Sequence, residues 1–99
     1  MLDQAKRVFE TPTRYQNFIA GQFVPAEDGG LISRESPAHG QVVSYYPAST
    51  RTDVETAIAA ARTSFDAGDW AFAYGGERAR CLHEVAQMIR RDADELALV

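Results

Sequence analysis

Between Glu77 and Leu96 the apolar residues fall on one helical stripe. Leu82, Val85, Ala86, Ile89, Ala93 and Leu96 stand at offsets 0, 3, 4, 7, 11 and 14, the spacing of one face of an α-helix. A helix usually closes on a left-handed Gly or Asn, or on a Pro soon after. Here the chain runs on through Ala97-Leu98-Val99 without such a signal. The expectation is a helix that continues to the last residue, in a chain that forms the front end of something larger.

A second stripe precedes it. Val54, Ala57, Ile58, Ala61 and Phe65 repeat at helical spacing. Thr50 and Asp53 have capping-box spacing, with Asp in place of the usual Glu, and Thr52 and Glu55 offer an alternative register. Gly68 is the expected end of this first helix. Ala59, Ala60 and Ala61 favour the helix and let another element come close. Residues 69–76, DWAFAYGG, form an aromatic-rich linker, and Gly75-Gly76 precedes the second helix.

Upstream the period is shorter. Residues 15–24, YQNFIAGQFV, have the look of two short strands about a tight turn at Ala20-Gly21. A type I′ turn wants positive φ at both central residues, so Ala20 is an imperfect choice and leaves the turn type open. Residues 31–35 and 41–46 read as a third and a fourth strand, the latter ended by Pro47. The short loop SPAHG, residues 36–40, makes them antiparallel neighbours. Residues 1–14 are weakly patterned and read as a loose or short-helical leader. The fold class expected is α+β: two short β-hairpins followed by two amphipathic α-helices.

Those elements make a thin interior. Burying Val54, Ile58 and Phe65 against two small hairpins does not offset the conformational entropy of ordering so long a helix. A larger sheet behind the helices would.

Composition narrows the function. The chain has 99 residues, a formal net charge of −4, 24% charged and 45% hydrophobic residues. The basic pairs Arg78/Arg80 and Arg90/Arg91 are interleaved with Glu77, Glu84, Asp92, Asp94 and Glu95. That mixture is a solvated helix face, so no nucleic-acid partner is expected. A single cysteine excludes an internal disulfide and suits a reducing compartment. The N-terminus lacks the apolar core of a secretory signal, and no apolar run approaches the ~20 residues that span a bilayer. A cytoplasmic protein without a membrane partner is expected.

No residue set in this stretch makes a catalytic centre. Cys81 and His83 lie about 200° apart around a helix, so they share neither a metal nor a proton. His83-Glu84 is not followed by the second histidine of a zinc motif, since position 87 is Gln. His39 falls in a turn. Gly75-Gly76-Glu77-Arg78 matches no phosphate-binding loop, although a helix start after Gly-Gly attracts anions in general. Asp66 and Asp69 flank Gly68 in what reads as a solvated loop. Trp70, Phe72 and Tyr74 alternate like a base-stacking platform, but the acidic charge favours packing beneath a neighbouring layer. No catalytic, cofactor-binding or metal-binding residue is therefore assigned.

The order of segments carries a resemblance. FIAGQFV is followed by ESPAHGQVV, then by PASTRTDVETAIAAARTSFDAGDW, then by ERARCLHEVAQMIRRDADELA. This order resembles the N-terminal section of the NAD(P)-dependent aldehyde dehydrogenase family, whose pattern runs I-N-G-x-W, N-P-A-T-G-E, T-x-x-D-V-x-x-A-V-x-A-A-x-x-A-F and E-R-x-x-x-L-x-x-x-A-x-x-I. The FDAGDW stretch is similar to the branch with broad-specificity and betaine-type enzymes. Ala20, Phe23, Ser36 and His39 depart from the family's Asn, Trp, Asn and Thr. These changes fall in or beside turns.

The resemblance implies an α/β parent fold that oxidises an aldehyde to a carboxylic acid with NAD or NADP. In the family a cysteine thiolate attacks the carbonyl, hydride passes to the nicotinamide, and a Glu-activated water releases the acid. Those residues lie C-terminal to this region, so Cys81 does not inherit the nucleophile's role. Residues 15–99 would be the N-terminal portion of the cofactor-binding domain, structural and inactive alone and binding no cofactor by themselves. Their partner would be the remainder of the aldehyde dehydrogenase chain, in a homo-oligomeric parent. In some relatives, backbone carbonyls before the N-P-A-T-G element help hold a monovalent cation, and the matching positions are Arg34 and Glu35. The competing function is a non-catalytic interaction module that docks a partner through its apolar helix faces.

Overall fold

A computed structural model describes residues 10–98. The order of elements is β1 (Thr13–Arg14), β2 (Asn17–Ile19), β3 (Gln22–Val24), β4 (Leu31–Glu35), β5 (Val42–Pro47), α1 (Arg51–Ala67), α2 (Gly75–Arg91) and α3 (Ala93–Leu96). Strands β2 and β3 form a two-stranded antiparallel sheet. A three-stranded sheet has the order β1-β5-β4, with β4 antiparallel and β1 parallel to β5. The α+β class and the two hairpins agree with the expectation.

The turn of the first hairpin resolves the ambiguity at Ala20. Ala20 has φ 51° and Gly21 φ 77°, the two left-handed residues of a type I′ turn. Asn17, Phe18 and Ile19 then oppose Val24, Phe23 and Gln22. The Phe18 and Phe23 rings meet across the strands at 5.0 Å between centroids.

In the second hairpin a bulge between Arg34 and Glu35 shifts the register. Strand β5 takes in Pro47 rather than stopping before it. Pro47 sits opposite Leu31 at the end of the ladder, and the next amide, Ala48 N–H, donates to the Gly30 carbonyl at 2.8 Å. A terminal position asks no N–H of the proline.

Part of the expected leader is ordered. Thr13 and Arg14 pair with Ser44 and Tyr45. Tyr15 stacks on Tyr46 at 5.1 Å, and the Arg14 guanidinium lies 5.5 Å from the Tyr45 ring centre. Residues 1–9, the rest of that segment, lie outside the described residues.

Helix α1 begins as its sequence indicates. Thr50 Oγ1 accepts the Asp53 amide at 3.3 Å, and an Asp53 oxygen accepts the Thr50 amide at 2.8 Å, completing the capping box. The alternative register is unused. Arg51–Glu55 and Arg62–Asp66 ion pairs, at 3.0 and 3.2 Å, brace the exposed side. Asp66 therefore lies within the helix, not in a loop beside Asp69. Gly68 closes the helix at φ 81°.

The second helix differs from its expectation at both ends. It starts at Gly75, so the glycine pair forms its first turn. It also stops: Asp92 takes φ −100°, ψ 17°, and the stripe that reads as continuous to Leu96 is split between α2 and the short α3. Arg91 grips the Asp92 carboxylate through Nε at 2.7 Å and Nη2 at 2.8 Å. The Asp92 amide still donates to the Met88 carbonyl at 3.0 Å, so the interruption is a local change of backbone angle at Asp92.

Very little is enclosed. Among the described residues Ala26 is the one buried apolar side chain, and neither long helix buries any residue. The chain exposes 8122 Å², where a compact chain of this mass exposes about 5,600 Å². Its radius of gyration is 17.3 Å, against about 13 Å for a compact chain of this length. The elements are ordered, but they do not close over an interior of their own.

Candidate docking interface

The features that stand out are bare apolar faces. On α1, Val54 is 50%, Ile58 63% and Phe65 60% exposed. On α2, Leu82, Val85, Met88 and Ile89 are all exposed. Hairpin β2–β3 adds Phe18 and Phe23, and the linker adds Trp70, Phe72 and Tyr74. An open groove of about 450 Å³ runs between β2 and α1, walled by Phe18, Ile19, Val54, Ala57, Ile58 and Ala61. Asn17, Ser49 and Asp53 complete its lining at one end.

Local contacts fix the shape of these faces. Both Asp53 carboxylate oxygens accept the Glu27 amide at 3.1 Å, which ties the 25–30 turn to the start of α1. The amides of Thr50 and then Glu27 hold the Asp53 carboxyl below its ordinary value. Asn17 Nδ2 donates to Ser49 Oγ at 2.8 Å, setting β2 beside the helix. The Phe72 ring seats on Gly68, where a Cβ would collide with it. Arg78 is more than a solvated charge: its Nη1 donates to the Ala71 and Trp70 carbonyls at 3.3 and 3.4 Å and holds the aromatic linker against α2. Its position one turn into α2 was visible in the sequence, but its acceptors are backbone atoms that no side-chain motif announces.

The reactive side chains are scattered over the surface. Cys81 and His83 are both exposed on α2. Ser36 Oγ and His39 Nδ1 lie 3.0 Å apart, and the Gly40 and His39 amides donate to the Ser36 carbonyl, so this contact closes the exposed SPAHG turn. Arg34 and Glu35 flank the β-bulge. Among the described residues no three His, Cys, Asp or Glu side chains gather as a metal set.

A dinucleotide does not fit the helix start that follows a strand here. A phosphate at such a site needs open amides at the helix N-terminus. At α1 the Asp53 carboxylate already takes the Thr50 amide, and Glu27 Oε2 accepts Thr50 Oγ1 at 3.1 Å. Two carboxylates in that position repel a pyrophosphate.

Bare helix faces beside ordered hairpins define an α+β arrangement that is left uncovered, and known proteins supply its family. The model of the aldehyde dehydrogenase family matches residues 23–99. The chain belongs to the aldehyde dehydrogenase family. It is 38% identical over 80 residues to betaine aldehyde dehydrogenase of Bacillus subtilis, covering 81% of this chain and 16% of that protein. It is 34% identical over 85 residues to mouse mitochondrial 10-formyltetrahydrofolate dehydrogenase, covering 86% of this chain and 9% of that one. The crystal structure of an NAD-dependent aldehyde dehydrogenase from Sinorhizobium meliloti superposes with a TM-score of 0.86 at 43% identity, over 93% of this chain and 18% of that chain. The chain thus spans less than a fifth of the length of these relatives.

Proposed function

We propose that residues 15–99 are the N-terminal portion of the cofactor-binding domain of an enzyme that oxidises an aldehyde to a carboxylic acid with NAD or NADP. In this role the segment does no chemistry. It leans its two helices and the aromatic linker on the layer that holds the cofactor, and the remainder of the aldehyde dehydrogenase chain supplies the nucleophile, the base and the nucleotide site. By itself the chain is inactive and binds no cofactor. The parent works as a homo-oligomer in the cytoplasm, a setting that suits the exposed free thiol of Cys81.

One observation carries this reading: family membership coincides with two long helices, Arg51–Ala67 and Gly75–Arg91, that bury no residue. No helix among the described residues is long and apolar enough to cross a membrane, so lipid-spanning helices do not account for the stripes.

The test is a chimera in which this chain replaces the matching segment of the Sinorhizobium meliloti enzyme. The chimera should form NADH from an aldehyde within about tenfold of the intact enzyme's rate, a difference of ~1.4 kcal/mol in barrier. The 99-residue chain alone should form none. A chimera that folds and assembles normally yet is inactive would overturn the reading, as would turnover by the isolated chain.

A further inference from the structure

No further inference is drawn: the strongest candidate, the side-chain cluster of Arg34, Ser44 and Tyr46 on one face of the three-stranded sheet, carries nothing, because its link to the Tyr46 hydroxyl rests on a lowered pKa alone and nothing in the structure shows what covers that face.

Discussion

Both carboxylate oxygens of Asp53 accept the backbone amide of Glu27 at 3.1 Å. An acid in the first turn of α1 thereby anchors a turn far upstream while also closing its own helix cap. The hairpin layer and the helix layer are joined by this contact, by Thr50 Oγ1–Glu27 Oε2 and by Asn17–Ser49, not by a hydrophobic interior.

The Asp53 anchor has a defined acid limit. Its folded value is depressed below 3.8, first by the Thr50 amide and then by that of Glu27. The stabilisation is therefore present above 3.8 and lost as pH falls through the lower folded value. In the isolated chain the Glu27 and Thr50 amide resonances should titrate together with a midpoint below 3.8. Asp53→Asn should abolish that titration. A midpoint at or above 3.8 would contradict the arrangement.

Ala20 places an L-residue with a Cβ at φ 51°. The left-handed conformation costs an ordinary residue roughly 1–2 kcal/mol, and Asn tolerates it better. Glycine removes the steric cost but returns about 0.5–1 kcal/mol as unfolded-state entropy. Ala20→Asn should stabilise the hairpin by about 1 kcal/mol, near fivefold in its folded population, and Ala20→Gly should be smaller in effect. Hα shifts across residues 17–24 read the population, and a weaker hairpin in the Asn variant would refute the I′ assignment.

Gly68 meets two demands, a φ of 81° and the Phe72 ring on its face. Gly68→Ala violates both. Gly68→Ala/Phe72→Ala relieves only the ring clash and keeps a conformational cost of roughly 1–2 kcal/mol. In the chimera, denaturation midpoints should fall most for Gly68→Ala and recover in part for the double variant. Full recovery would mean that backbone strain plays no role.

The two helices and the hairpins were legible because their signals are local. The stripe from Val54 to Phe65, the Thr50/Asp53 spacing and Gly68 all agree on one helix, and the structure uses each of them. The β1–β5 pairing was not legible: a two-residue strand has no periodicity, and its partner lies far along the chain. The break at Asp92 was hidden for another reason. Aspartate is tolerated inside helices, and neither a glycine nor a proline marks the change of backbone angle at Asp92. Of the interface, the stripes were visible and their exposure followed from the thin interior. Arg78's grip on the linker was not, because backbone carbonyls carry no side-chain signature.

Amide hydrogen exchange along residues 78–91 most directly probes whether α2 is built to be covered by the rest of a larger enzyme. In the isolated chain these amides should exchange within minutes. In the chimera with the Sinorhizobium meliloti enzyme they should slow at least 100-fold, about 2.7 kcal/mol of added protection. Equal protection in both molecules would mean that this chain already completes its own fold, and would contradict a role for α2 as a face awaiting its cover.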